Sequence, residues 1–295
     1  MTLDDVRAIV PIEIRRQGSF ATPGLLADPQ PDMLVFLEDR QFLGLLRRTP
    51  EVSCVIAAPD LAEELGQIPG LAVASDPRRV LFDFHNHLAR HTQFYWSDFP
   101  TEVDPAARVH SRAFIAERNV RIGPHTTIGP NTTILERCSI GASVVVRPGV
   151  VLGSVGFQST RFNDAVVDMI HAGGIQIDDH VEVMSNAVVA AAVFRQTTRI
   201  GEGSKVGNLA FVSHNVQVGP RSFIGHGAVI NGNVRIGQNV WIGPGATLVQ
   251  CISVGDGARV SLGSTVIEDV SPGQQVTGNI AIEHRRFLRH VVSIR

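Results

Sequence analysis

Eleven histidines and three cysteines are the side chains best able to do chemistry in this 295-residue chain. Cys54, Cys138 and Cys251 are odd in number and widely separated, which suits a reducing cytoplasm better than a disulfide framework or a metal site. His214 stands in the segment Val212-Ser213-His214-Asn215-Val216-Gln217-Val218-Gly219, two positions after an aliphatic residue of a regular series. An imidazole with a reference pKa of about 6.5 can take a proton from a nucleophile near neutral pH. Asn215 beside it, or a backbone carbonyl, can fix the tautomer. The alternative is a solvated corner histidine. His226 is twelve positions further on, on another side of any repeating structure, and reads as structural. Of the remaining histidines, His171 lies in a long loop and is the best placed to touch a substrate.

The element that positions His214 is a repeat. From Ile200 a branched aliphatic recurs every six residues through Val206, Val212, Val218, Ile224, Ile230, Ile236, Ile242, Leu248, Val254 and Val260 to Val266, and glycine follows seven of these twelve. The residue two positions before each aliphatic is small or β-branched. An earlier block, Ile122 to Leu152, keeps the period; Ile177, Val183 and Val189 join the main run after a one-residue slip, and Val103, Val109 and Ile115 form a first coil, also offset by one. Period six fits neither a helix nor a long flat strand. It fits a short strand and a corner, repeated, with the aliphatic and the small residue pointing inward. Glycine beside the aliphatic is expected to take the corner conformation. Three sides make a coil of 18 residues, so residues i and i+18 stack about 4.8 Å apart. Gly232 is then one coil beyond His214, on the same side.

Residues 1–100 alternate instead. Met33–Leu37, Val52–Ala58 and Leu71–Ala74 read as strands; Asp39–Arg48 and Pro59–Ile68 read as helical; Asp76 caps a helix from Pro77 to about Gln93, with Val80, Leu81, Phe84 and Leu88 on one face. Residues 97–108 read as a linker. The repeat is interrupted over 153–174, a loop holding Phe157, Phe162, Asp164, Asp168 and His171, either a functional segment or a tolerated insertion. After Pro272 the chain leaves the repeat, and Ile282–Val292 reads as a short helix carrying Arg285, Arg286, Arg289 and His290. Its basic residues answer the helix dipole or receive an acidic partner. Trp241 precedes an inward aliphatic and should point outward, to a subunit interface or a channel wall.

Composition bounds the rest. A net charge of −2, from 26 basic and 28 acidic residues, argues against a nucleic-acid binder. The longest strongly apolar stretch, Ala187–Phe194, is too short to span a bilayer, and the N-terminus has no basic region followed by an apolar one, so neither a transmembrane segment nor a signal peptide is expected.

The repeat resembles the hexapeptide-repeat acyltransferases, which implies a left-handed parallel β-helix, usually trimeric, with sites in the clefts between neighbouring helices. The order of parts is similar to the UDP-3-O-acylglucosamine N-acyltransferases of lipid A synthesis. The fold expected is mainly β: a small α/β uridine-binding domain (1–100), a hexapeptide-repeat β-helix (101–272, with the insertion 153–174) and a basic helical tail (273–295). The resemblance implies His214 as catalytic base, Gly232 as an amide donor to the oxyanion and Asn208 as a further catalytic residue. It also implies that Phe36 and Phe42 flank the uracil ring, although core packing explains two phenylalanines equally well. The loop opens on Gly156-Phe157, with Gly173 near its end, and Phe157, Asn215 and His171 complete the substrate-binding set. Three positions depart from the family: Val155 replaces an acidic residue, Phe42 a common tyrosine, and a second functional histidine falls at Cys251.

The implied reaction moves an acyl chain from the phosphopantetheine thioester of acyl-carrier protein to the amine of a UDP-linked 3-O-acylglucosamine, in a cytoplasmic homotrimer with no permanently bound cofactor. The alternative is an acetyl-CoA-dependent N-acetyltransferase acting on a nucleotide amino sugar. A zinc carbonic anhydrase on this fold needs two repeat histidines five apart, and no such pair exists here, so no metal site is expected. A non-catalytic assembly helix is the remaining reading.

Overall fold

The period-six aliphatics line the inside of a coil. In the computed structural model, which describes residues 1–163, 165–278 and 284–293, all twelve from Ile200 to Val266 are at most 7% exposed. Two-residue strands such as Phe211–Val212 and Val229–Ile230 repeat along three parallel sheets of nine, eight and eight strands, one for each side of the coil. Val206 pairs with Ile224, Val212 with Ile230 and Val218 with Ile236, the expected 18-residue register. The core is one continuous column of Val, Ile, Leu and Ala.

The glycines beside the aliphatics have a different reason from the expected one. Their φ values are not positive. Instead, a β-carbon on Gly219 would lie 2.6 Å from the carbonyl carbon of Gly237, and one on Gly201 2.7 Å from that of Gly219. Glycine is there because successive coils stack too closely for a side chain. The left-handed conformation falls two residues later, at Leu209, Asn215, Arg221, Gly227, Asn233 and their equivalents.

Two insertions interrupt the coil. Leu152 pairs with Val189, 37 positions on, so this coil carries nineteen extra residues, which form the loop and its antiparallel hairpin, Ser159–Arg161 with Val166–Asp168. Val189 pairs with Val212, 23 positions on. The expected one-residue slip is therefore a five-residue bulge between Ala190 and Thr197. Two boundaries also move. Val103 already pairs with Ile122, so the first coil begins inside the expected linker. The coil also continues past Pro272: Arg259 and Val260 pair with Gln275 and Val276, 16 positions on. Losing two residues broke the period there without ending the coil.

The N-terminal unit is a five-stranded sheet of β1 (Glu13–Arg16), β2 (Thr22–Pro23), β3 (Met33–Leu37), β4 (Val52–Ala57) and β5 (Gly70–Val73), in the order β1-β5-β4-β3-β2, with only β1 antiparallel to its neighbour. Three α-helices accompany it, α1 (Leu3–Arg7), α2 (Leu43–Leu46) and α3 (Pro77–His91), together with 3-10 helices at Arg40–Phe42 and Pro59–Leu65, so the stretch expected to be helical from Pro59 forms the tighter 3-10 turn. Asp76 caps α3, accepting from the Arg79 N–H at 2.9 Å. Helix α1, β1 and β2 escaped the sequence reading; each is too short to show a period. A fourth helix, α4 (His284–Ser293), matches the expected tail helix, whose Ile282 lies outside the described residues, as does Asp164 of the loop.

Loop and bulge both dock on α3. Met169, Ala172, Val193 and Phe194 are buried in the same cluster as Leu81, Phe84 and Leu88. The Asn86 amide donates to the Asp168 carbonyl at 2.8 Å and accepts from the Ile170 N–H at 2.9 Å. His85 Nε2 meets the Ile170 carbonyl at 2.7 Å, and Nδ1 meets the Tyr95 hydroxyl at 2.6 Å. A carbonyl only accepts, so Nε2 carries the proton and Nδ1 accepts from Tyr95.

Candidate active site

His214 sits at a corner of the coil and is 5% exposed. One coil on, a β-carbon at Gly232 would lie 2.3 Å from His214 Nε2, so the backbone of Gly232 lies directly against the imidazole. The Asn233 N–H ties the two coils by donating to the His214 carbonyl at 3.0 Å. The Gly232 N–H donates to no acceptor among the described residues. An amide left free beside an imidazole is available to a ligand.

The loop closes the other side. A β-carbon at Gly156 would lie 2.8 Å from His214 Nδ1 and 3.0 Å from His171 Nε2. The Gly156 N–H donates to His171 Nε2 at 3.0 Å, so that nitrogen is unprotonated and a neutral His171 carries its proton on Nδ1. The rings of His171 and His214 are 5.4 Å apart and nearly perpendicular. Ser213 Oγ is 3.2 Å from His214 Nδ1. Burial pushes His171 down to about 4, helped by the neighbouring His214. Burial also lowers His214, against the opposing pull of the Asp28 carboxylate. Both rings are neutral at pH 7.

Asn215, next along the chain, is fully engaged. Its Oδ1 accepts from the Val193 N–H at 2.9 Å, and its Nδ2 donates to Asp28 Oδ2 and Gln196 Oε1, each at 3.0 Å. Its amide is therefore committed to holding the corner. Asp28, Gln196 and Arg235 were not singled out from sequence; Arg235 lies on the repeat, but Asp28 and Gln196 come from irregular segments that carry no period.

Other expected site residues lie apart. Asn208 is exposed at the preceding corner of the same coil, where its N–H donates to His226 Nδ1 at 2.9 Å. It makes no contact with His214 within one chain. Phe157 is 90% exposed at the loop opening. Phe36 is half-buried with the Arg78 guanidinium over its ring at 5.3 Å, and Phe42 is exposed; no ring contact joins the two. The register Val212–Ile230–Leu248 places Gln250 in the column of His214, so the position two coils on is Gln250 and not Cys251. Cys251 is exposed and instead continues the column of Asn215 and Asn233, with its sulfur 3.8 Å from Asn233 Nδ2. Trp241 does point outward, 41% exposed, edge-on to Phe223.

The family model described as bacterial transferase hexapeptide (six repeats) matches residues 119–154 and 197–232. A UDP-3-O-acylglucosamine N-acyltransferase from Leptothrix cholodnii is 28% identical over 65% of this chain and 64% of its own length. One from Paracidovorax citrulli is 29% identical over 62% and 57%. A third, from Anaeromyxobacter dehalogenans, is 36% identical over 33% and 29%. This is a hexapeptide-repeat coil, similar to the UDP-3-O-acylglucosamine N-acyltransferases. The chain spans less than two thirds of the length of these relatives. Among solved structures, UDP-N-acetylglucosamine acyltransferase from Campylobacter jejuni aligns with a TM-score of 0.47 at 15% identity, over 65% of this chain and 83% of that one. The two hexapeptide matches bracket the insertion and bulge, and the second ends on Gly232.

Proposed function

We propose that this chain is an N-acyltransferase that moves an acyl group from a phosphopantetheine thioester on acyl-carrier protein to the amine of a UDP-linked 3-O-acylglucosamine. It works in the cytoplasm as a homotrimer whose subunits form the clefts, and residues 1–100 hold the nucleotide. The names of the relatives support the reaction class. The observation that carries the reading is the neutral, buried His214 with its Nε2 against the unpaired amide of Gly232.

The chemistry follows from that pair. The substrate amine attacks the thioester carbonyl; a C–N bond forms and the carbonyl electrons move to oxygen. The Gly232 N–H donates to that oxyanion, an interaction whose loss typically costs ~3 kcal/mol of barrier. With its Nδ1 proton donated to Ser213 Oγ, His214 has Nε2 free to take the proton from the attacking nitrogen. Collapse of the intermediate breaks the C–S bond, and the proton passes to the leaving thiolate. Asn208, remote from His214 in one chain, serves the cleft of a neighbouring subunit. Phe36, Phe42, Phe157 and His171 bound the substrate side, while Asn215, expected there too, has its side chain taken up by Val193, Asp28 and Gln196 and holds the corner.

The test is turnover of UDP-linked 3-O-acylglucosamine with long-chain acyl-carrier protein and with acetyl-CoA, by wild type and His214→Ala. Transfer from acyl-carrier protein that is lost in the variant is expected. Exclusive use of acetyl-CoA would replace this reading with the N-acetyltransferase, and full activity of His214→Ala would remove the catalytic account.

A further inference from the structure

Behind the catalytic corner lies a carboxylate that comes from the other end of the molecule. Asp28, in the segment between β2 and β3, is 7% exposed and reaches the coil 187 positions on in sequence. Its Oδ2 accepts from Asn215 Nδ2 at 3.0 Å and Gln196 Nε2 at 2.5 Å, and its Oδ1 accepts from Arg235 Nη2 at 2.8 Å. A carboxylate this enclosed costs free energy unless its oxygens are paired. Here three donors pair it: one on the catalytic corner, one on the bulge and one on the next coil.

The recipient is informative. Asn215 takes the left-handed backbone conformation, φ 59°, immediately after His214, so its geometry sets the direction in which the coil presents the imidazole. Its backbone N–H is held by Thr198 Oγ1 at 2.9 Å and its side-chain oxygen by the bulge. The amide nitrogen is then held by Asp28 and by Gln196, which Asp28 itself orients. A latch between two regions of the fold needs only an ion pair such as Asp28 with Arg235. The bond from Asp28 to the residue adjoining the base goes beyond that.

We propose that Asp28, supplied by the N-terminal unit, is a positioning residue for His214: it fixes the Asn215 amide and through it the corner that presents the imidazole, with Arg235 holding the carboxylate in place. This rests on the reading of His214 as the base. Its consequence is that the substrate-binding end of the chain and the reacting corner are mechanically one piece. The Asp28 charge also acts on the ring, opposing the effect of burial. The titratable and charged groups about the imidazole are His171 from the loop, Asp28 and, behind it, Arg235 from the next coil.

The charges of Asp28 and Arg235 have opposite effects on the ring, and this makes the proposal testable. Asp28→Asn removes the anion, and the proton affinity of His214 should fall by roughly half a pH unit; Arg235→Gln leaves the anion uncompensated, and it should rise by a similar amount. Both substitutions break the same ion pair, so a purely structural latch predicts lower thermal midpoints from both with kcat unchanged in the folded protein, and the opposed shifts by themselves show only that the carboxylate charge reaches the ring. The measurement is an NMR titration of ring-labelled histidine in the full-length protein, with the His214 signal assigned by its loss in His214→Gln. In parallel, Asp28→Ala should lower kcat about tenfold or more while leaving KM for the nucleotide sugar within about twofold. Opposed shifts together with the kcat loss support the proposal. Unchanged titration in both charge variants, or unchanged kcat in a folded Asp28→Ala, overturns it. If His214→Ala keeps full turnover, the base reading fails by itself, and the titrations still decide whether Asp28 governs the ring.

Discussion

The Nε2 atom of His214 lies 2.3 Å from where a β-carbon on Gly232 would be, and the two residues belong to successive coils of one corner. That closeness is possible only because position 232 has no side chain. It brings the atom that can take a proton and an unpaired amide into one small space.

Gly232→Ala should therefore abolish the proposed acyl transfer without unfolding the chain. The added methyl must displace the imidazole, which is the movable partner. Turnover is expected to fall about a hundredfold or more, the effect typical of losing a general base, because alanine keeps the amide N–H while the imidazole is moved out of place. The thermal midpoint should change little, since the ring rather than the backbone gives way. A folded Gly232→Ala with wild-type kcat would separate this glycine from the reaction.

The pH–rate profile should reflect the burial of His214. Burial lowers its proton affinity below the usual 6.5 by more than Asp28 restores it. A base must be unprotonated, so kcat/KM should be level around pH 7 and fall on the acid side with a midpoint below 6.5. In His214→Ala that acid limb should disappear along with a factor of about 10²–10⁴ in rate. A limb centred above 6.5 would contradict the buried, neutral ring.

Much of this site was legible because it lies on the period. His214 and Gly232 are 18 positions apart, and a coil of 18 residues makes them neighbours whatever the rest of the chain does. Asp28 was not legible, because it meets Asn215 across 187 positions through a turn with no repeat. The bulge before Thr197 read as a slip of one residue because five extra residues and one missing residue leave the same phase in a period of six. The glycine pattern was visible and its reason was not, since stacking distance is a property of the assembled coil. Phe36 and Phe42 come from the family resemblance and not from any period; in the fold the Arg78 guanidinium lies over Phe36, and Phe42 is exposed.

Stability should decline on acidification through two buried histidines that hold the loop and its anchor. His85 and His171 are both pushed down to about 4, chiefly by burial. The unfolded chain binds protons near 6.5, so below that pH it takes up more protons than the folded one. Their stabilising contribution is thus complete above 6.5 and is lost as the pH falls toward 4, on the order of 3 kcal/mol for each. His85→Gln should lower the thermal midpoint at pH 7, because it disturbs the bonds to Tyr95 and Ile170. It should also flatten the slope of midpoint against pH. A His85→Gln slope equal to wild type between pH 6.5 and 4 would remove His85 from the acid response.

Two glycines of the coil should respond unequally to the same substitution, because glycine is present for two reasons. At Gly219 the backbone φ is ordinary, and a β-carbon would lie 2.6 Å from the carbonyl carbon and oxygen of Gly237. Backbone cannot swing aside as a side chain can, so Gly219→Ala must push adjacent coils and their ladder apart; overpacking of this kind costs ~1–3 kcal/mol or more. At Gly227 φ is +64° and nothing lies within 4 Å of a β-carbon, so Gly227→Ala incurs only the left-handed backbone cost of ~1–2 kcal/mol. Asn233 and Asn239 occupy equivalent positions, and asparagine tolerates this conformation, so Gly227→Asn should cost less still. Thermal midpoints should fall in the order Gly227→Asn, Gly227→Ala, Gly219→Ala, from mildest to most severe. If Gly219→Ala proved the mildest, the coils would not be as closely stacked as their register requires.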